Sequence, residues 1–288
     1  MKILVIGKNG QLGKCIKKAI SYSNNSNKFF FVAKDIIDLS QNKSIESYFK
    51  KNLFDIIINC AAYTQVDKAE EEEDLANKIN NLAVSQLAHI AKEQQAKLIN
   101  ISTDYVFDGK SNRPYTENDK ANPINVYGKT KLLGEKAIRE IMPTNAMIIR
   151  TSWVYSQHGN NFVKNMMVLG KQREELNVVS DQIGSPTYAI DLAFVILKII
   201  DSKYFHEENQ PTMTFHYSNT GVISWYEFAK EIFKQKNIDC RVNPILSKQY
   251  PTLAKRPKNT LMSNSKILAT FKIESIFWKD SLKKFLNS

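Results

Sequence analysis

Asn125-Val126-Tyr127-Gly128-Lys129-Thr130-Lys131 places a phenol four residues ahead of an ammonium. On a helix that spacing sets both groups on one face. A free phenol titrates near ~10, so it is a poor proton donor or acceptor at neutral pH unless its surroundings tune it. The Lys131 charge is expected to favour the phenolate and lower the Tyr127 pKa. A pair tuned in this way passes a proton to or from a carbonyl oxygen while another group delivers a hydride. The same spacing also occurs on any amphipathic helix with Tyr and Lys on its wet side, so the rest of the chain must decide.

A second pattern is Gly7-Lys8-Asn9-Gly10-Gln11-Leu12-Gly13, which follows the apolar run Lys2 to Ile6 and opens a helical stretch from Gln11 to Tyr22. A strand, a glycine turn and a helix start are the context of a dinucleotide site. Glycines let the backbone approach a pyrophosphate, which rests on the positive end of the helix. A plain tight turn is the alternative. Cofactor choice would fall to Val32-Ala33-Lys34-Asp35, where an acid suits ribose hydroxyls and a base suits the extra phosphate of NADP. Lys34 beside Asp35 leans towards NADPH with NADH also usable. Asp38 and Leu39, one loop later, are candidates for an adenine pocket, though Asp38 is equally a loop acid.

These residues need a frame. Apolar runs at Phe29 to Ala33, Asp55 to Asn59, Lys97 to Ser102 and Ala146 to Thr151 read as buried strands. Between them Ser44 to Lys51, Leu75 to Gln95 and Asn125 to Ile141 carry helical spacing, and Ser23 to Lys28 is a polar break. Strands alternating with helices predict an α/β fold with a doubly wound parallel sheet. Beyond 151 the alternation loosens. Helices are expected at 161–170, 189–200 and 225–236, so residues 1–151 form a cofactor-binding domain and 152–288 a smaller substrate domain, some of whose segments return to the first. The expected fourth strand ends at Ser102-Thr103-Asp104, and ligands of such sheets sit beyond the carboxyl ends of strands.

Bulk properties exclude several classes. No run reaches the ~18 to 20 apolar residues of a membrane span, and the short apolar start is no signal peptide. The three cysteines, Cys15, Cys60 and Cys240, have neither metal nor redox spacing and suit free thiols in a cytoplasm. The four histidines share no ligand spacing. A net charge of +11 raises nucleic acid as a partner, but the lysines are dispersed and not interleaved with aromatics, so a solvated surface that steers an anionic substrate is the better reading. The acidic run Asp67 to Asp74 is read as a solvated helix start, where acids suit the dipole, and not as a metal site.

Further segments carry a resemblance: Asn59 to Glu70, Ser102 to Gly109, Asn125 to Glu135, Arg150 to Tyr155, Gly159 to Phe162, Asp181 to Thr187 and Arg256-Pro257. In this order, with the G-x-x-G-x-x-G turn, the chain resembles the extended short-chain dehydrogenase/reductase family. The resemblance implies a Rossmann-type fold. It also implies nicotinamide-dependent reduction of the C4 ketone of dTDP-4-dehydro-L-rhamnose to dTDP-L-rhamnose, the last step in making an activated sugar for surface polysaccharides. Thr103 would hydrogen-bond the ketone, Tyr127 would protonate it, and Lys131 would tune Tyr127 and hold the nicotinamide ribose. Ala62, Tyr63 and Thr64 would line the cofactor, with Tyr63 a packing residue in the alternative. Asp104 would accept sugar hydroxyls or else order its loop. Trp153 reads as a wall of the substrate pocket or a core residue, and Arg256 as a diphosphate ligand or a surface charge.

Another nucleotide-sugar 4-ketoreductase or epimerase, and a non-catalytic NADP-binding regulatory subunit, are the alternatives; an intact Thr103, Tyr127 and Lys131 argue against the latter. Some relatives carry magnesium at an acidic dimer contact. Here Lys14 and Cys15 near the first helix start, and a tail from Lys279 to Ser288 with Asp280 as its one acid, depart from that pattern. No metal is therefore expected, and the chain is a monomer or a homodimer.

Overall fold

The computed structural model describes residues 1–23 and 25–288; Asn24, inside the polar break read from the sequence, lies outside the described residues. The first half runs β1 (Lys2–Ile6), α1 (Gln11–Ser21), β2 (Lys28–Val32), α2 (Asn42–Phe49), β3 (Ile56–Asn59), α3 (Val66–Ala69), α4 (Glu73–Asn77), α5 (Ala83–Glu93), β4 (Lys97–Thr103), α6 (Val126–Ile141) and β5 (Ala146–Thr151). The second half runs β6 (Val154–Tyr155), α7 (Phe162–Gln172), β7 (Glu175–Val179), β8 (Ile183–Gly184), β9 (Thr187–Tyr188), α8 (Ala189–Ile200) and α9 (Lys203–His206). It continues with β10 (Met213–His216), β11 (Ile223–Ser224), α10 (Trp225–Lys236), β12 (Arg241–Ile245), α11 (Ser265–Phe271) and α12 (Trp278–Leu286).

Six strands form one parallel sheet in the order β10-β5-β4-β3-β1-β2. Every residue of β3 and β5 is buried, which is why these strands read as continuous apolar runs: helices cover both faces. Side chains alternate between the two layers. Ile3 and Val5 of β1 enter one core with Met147 and Ile149 of β5, beneath α1 and α8. Leu4 and Ile6 enter the other with Ala146 and Ile148, beneath α2 and α5. The sixth strand, β10, returns from the second half of the chain to pair with β5. The remaining strands form three two-stranded ribbons. Helix α10 begins with a capping box, Ser224 with Glu227.

One expected element is not a single element. Leu75 to Gln95 is broken by a π-helical turn at Lys78–Leu82 between α4 and α5. The wider turn carries Asn80, 1% exposed, whose side-chain amide brackets the Tyr63 backbone: Oδ1 accepts from Tyr63 N at 2.9 Å and Nδ2 donates to Tyr63 O at 3.1 Å. Its Nδ2 also donates to Thr130 Oγ1 of α6 at 3.2 Å. Apolar periodicity does not register such a turn, because its cause is a polar contact between segments distant in sequence. Among the described residues no helix is long and apolar enough to cross a membrane.

Candidate active site

In the sheet, β2 lies to one side of β1 and β3 to the other, so the crevice beyond the carboxyl ends of β1 and β3 is the topological switch point where such folds take ligands. The glycine turn opens there. Gly7 has φ +98°, and a Cβ on Gly13 would stand 2.2 Å from the Gly7 carbonyl oxygen, so the turn is closed to other residues. The amides of Gly7 and Lys8 both donate to Val32 O, which draws the end of β2 beside the turn. Gly10 is the N-cap of α1 without a side-chain cap, and the first turn of the helix holds no acid. Its amide donors and positive dipole end are thus left to a ligand, the arrangement that suits a dinucleotide pyrophosphate.

Around this crevice the expected cofactor residues fall unevenly. Ala62 is half-buried and Thr64 exposed just past β3. Tyr63 is buried, with its hydroxyl donated to Glu72 Oε2 at 2.5 Å. Lys34 is exposed at the end of β2 and 3.8 Å from Asp38, whose Oδ1 holds the amide and hydroxyl of Ser40. Leu39 and Leu12 have their side chains in the core, which leaves only their backbones for a cofactor. Gln11 turns away from the crevice: it donates to Val154 O and accepts from Ser156 and Asn161, tying the turn to the second half of the chain.

Thr103 ends β4 and Tyr127 and Lys131 sit on the first turns of α6, capped by Asn125 Oδ1 on the Gly128 amide at 2.8 Å. The Thr103 hydroxyl lies against the Tyr127 phenol and is the contact that favours its ionised form. Burial outweighs it and, with Asp104 nearby, drives Tyr127 up to about 12. The expected lowering by Lys131 is therefore overturned. Lys131 Nζ is turned into the sheet instead and donates to Ile101 O at 2.7 Å. Burial lowers Lys131 to about 8, against the opposing influence of Glu135 and Cys60.

Asp104 is 2% exposed and takes the Thr103 hydroxyl on Oδ1 at 3.0 Å, while its Oδ2 is buried with no partner among the described residues. Burial lifts it to about 6, with the Thr260 and Thr103 hydroxyls favouring the charge. Trp153 sits two residues past Thr151, the register partner of Thr103. It is half-buried and stacked on Trp225, with centroids 3.6 Å apart, so it is neither a free apolar wall nor a sealed core residue.

Arg256 is not free. It pairs with both oxygens of Asp67, NH1 at 3.0 Å and NH2 at 2.6 Å. That corrects the reading of the acidic run as merely solvated. Asp67 also accepts from the Ala254 amide, Glu70 accepts from the Val126 amide at the start of α6 at 2.8 Å, and Glu72 holds Tyr63. The run organises the site, through partners too far along the chain to be seen in the sequence. Among the described residues no three His, Cys, Asp or Glu side chains come together as a metal site.

Sequence reasoning also missed Glu135, fully buried one turn beyond Lys131. It binds Arg150 of β5 through Nε at 2.9 Å and NH2 at 2.6 Å, and takes the Ser102 hydroxyl of β4 at 2.5 Å. Tyr127, Lys131 and Glu135 follow at intervals of four, a spacing that marks the third member of the face.

A half-buried tyrosine and a buried lysine one turn apart on a helix, a hydroxyl at the end of β4 and an open helix start at the switch point define a nicotinamide-dependent reductase of the short-chain type. More particularly, the chain belongs to the family described as RmlD substrate binding domain, whose sequence model matches residues 1–288. It is 39% identical to a dTDP-4-dehydrorhamnose reductase of Aggregatibacter actinomycetemcomitans, over 98% of this chain and 97% of that protein. A solved dTDP-4-dehydrorhamnose reductase of Clostridium acetobutylicum superposes with a TM-score of 0.92 at 42% identity, covering 100% of this chain and 99% of the other. A Bacillus anthracis dTDP-4-dehydrorhamnose reductase, solved in complex with NADP, gives 0.91 at 38% identity, covering 99% and 98%.

Proposed function

We propose that this protein reduces the C4 ketone of dTDP-4-dehydro-L-rhamnose to dTDP-L-rhamnose, with NADPH as the preferred reductant. The observation that carries the chemistry is a Tyr127 phenol held neutral beside the Thr103 hydroxyl, with Lys131 one turn away, at the end of β4. When bound, a reduced nicotinamide supplies the hydride to C4. Tyr127 gives its proton to the ketone oxygen; raised to about 12, the phenol stays protonated until the charge growing on that oxygen makes it basic enough to take the proton. Thr103, whose one hydroxyl hydrogen goes to Asp104 Oδ1 before substrate arrives, turns it to the same oxygen, on which charge grows in the transition state. Lys131, held by Ile101 O, keeps two further donors for the nicotinamide ribose.

Asp104 accepts a sugar hydroxyl once its side chain turns, because its Oδ2 is closed off in the unliganded arrangement. Arg256 binds the diphosphate while Asp67 keeps its guanidinium in place. Exposed Lys34 at the end of β2 favours the NADP phosphate. Residues 1–151 serve as the cofactor half and 152–288 as the substrate half, in a cytoplasmic monomer or homodimer.

The test is to mix the purified protein with dTDP-4-dehydro-L-rhamnose and NADPH or NADH, without added metal, and follow loss of the reduced-nicotinamide absorbance. Rapid loss, faster with NADPH at equal concentration, is expected. No loss with a cofactor that still binds would refute the reaction.

A further inference from the structure

Tyr127, Lys131 and Glu135 share one face of α6, and each meets a different one of the last three residues of β4. The Tyr127 phenol lies against the Thr103 hydroxyl, Lys131 Nζ donates to Ile101 O at 2.7 Å, and Glu135 Oε1 accepts from Ser102 Oγ at 2.5 Å. The helix is also held close from other sides. A Cβ on Gly128 would stand 2.1 Å from Tyr105 O, and one on Gly134 would stand 2.3 Å from Asn80 O. Of the three rungs between α6 and β4, the one at Glu135 has no part in the reaction described above. It is nevertheless the most elaborate. Glu135 takes Arg150 of β5 on both of its oxygens and lies 3.4 Å from Arg139 of its own helix. Behind it, Arg150 NH1 is 3.4 Å from Nε2 of His216 of β10, which burial lowers to about 3 and so keeps neutral. Ser102, Glu135, Arg150 and His216 are all buried.

A buried ion pair is a weak source of stability, because apolar residues of like volume serve as well or better. Packing α6 onto the sheet therefore does not call for this carboxylate, whereas the neighbouring ammonium does. Burial pulls Lys131 down to about 8, and Glu135 is the stronger of the two groups that oppose it, with Cys60 beyond β3 the other. We propose that Glu135 is a positioning residue for the reduction: held by Ser102 and Arg150, its carboxylate sets α6 in register with the end of β4, so that the Tyr127 phenol and the Lys131 ammonium stand where the ketone and the nicotinamide ribose need them. A displacement of about 1 Å at reacting groups can cost about 10²-fold in rate. Without the carboxylate, Arg150 and Arg139 would face Lys131 unanswered, and its proton would leave at lower pH. The inference rests on the reductase reading above and adds a residue that touches neither substrate nor cofactor.

Its test uses full-length Ser102→Ala, Glu135→Gln and the double variant Glu135→Leu with Arg150→Met. Steady-state reduction of dTDP-4-dehydro-L-rhamnose by NADPH is measured across pH, alongside melting temperatures. Ser102→Ala, which removes one rung and no charge, is expected to lower kcat about tenfold, the worth of one hydrogen bond. Its sugar KM stays within twofold and the basic limb of its pH profile does not move. Glu135→Gln is expected to lower kcat about 10²-fold and to move the basic limb down by about one pH unit. The double variant regains most of the melting temperature but stays at least about tenfold down in kcat. A wild-type kcat and an unmoved limb in Glu135→Gln would overturn the inference while leaving the reaction standing. A kcat that returns with the melting temperature in the double variant would reduce the network to packing and also overturn it. Wild-type protein that fails to reduce the sugar would refute the reaction and the inference together.

Discussion

Tyr127 and Lys131 divide the work differently from the way their spacing suggests. Desolvation holds the half-buried Tyr127 phenol above its ordinary value, and the ammonium is engaged by Ile101 O instead of ionising Tyr127. A protonated phenol suits reduction, where the reacting oxygen must gain a proton. Tyr127→Phe should therefore lower kcat by about 10²- to 10⁴-fold while NADPH affinity, measured by calorimetry, is unchanged. A second prediction concerns pH. Asp104 is raised to about 6 and accepts from the sugar more strongly when charged, so activity rises as pH climbs through that value. Loss of the Lys131 proton, at about 8, removes its charge and one of the two donors left for the nicotinamide ribose, so activity falls as pH climbs past it. The profile of kcat/KM should be a bell between those limits, and Asp104→Asn should remove the acid limb alone. A sequence shows which titratable groups are present at what spacing. It does not show that Lys131 points at a carbonyl or that Asp104 is closed off from solvent, which is why the direction of the Tyr127 shift does not follow from the spacing.

Helix α6 carries the proposed catalytic pair, and it is pinned to the sheet beneath it. Glu135 grips Arg150 of β5 and Ser102 of β4, fixing the helix against the strand that ends in Thr103. Its own start is fixed by Asn125 and Glu70. Truncating Glu135 to Ala would strand the Arg150 charge, itself 3% exposed, at a cost of about 3–5 kcal/mol. A thermal melt should show Glu135→Ala losing roughly 10 °C, with replacement of both partners by Leu and Met recovering most of it. Elements of this kind were legible wherever local pattern sufficed: Ala146–Thr151, Ala189–Ile200 and Trp225–Lys236 have the bounds their periodicity indicates. The π-turn was not legible, because it exists for the bonds of Asn80 to Tyr63 and Thr130, 17 and 50 residues away. Trp225 read as an ordinary helical residue for the same reason: its stacking partner is Trp153, on another element.

At the scale of the whole molecule, the two halves of the chain meet over the site through few charged ties. The Asp67–Arg256 pair, joined by Asn125 Nδ2 donating to Lys255 O at 2.8 Å, holds the segment around 254–256 across the starts of α3 and α6. Because the side chains of Arg256 and Asp67 are 22% and 41% exposed, the pair adds at most about 1 kcal/mol to stability. Its loss should show in binding instead. Asp67→Ala is expected to raise the KM for the nucleotide sugar about tenfold, equivalent to ~1.4 kcal/mol, with the melting temperature within a few degrees of wild type and NADPH affinity kept. Equal changes in both affinities would argue against this role.

The return of β10 to the sheet has a bearing on how the molecule is made. Until residue 216 has left the ribosome, Met147 to Arg150 stand as the bare margin of a parallel sheet with their outer hydrogen-bonding groups unmet. A bare margin of that kind is a template for pairing with other nascent chains. The sheet is thus begun by the first half of the chain but completed late, by a strand that the second half supplies.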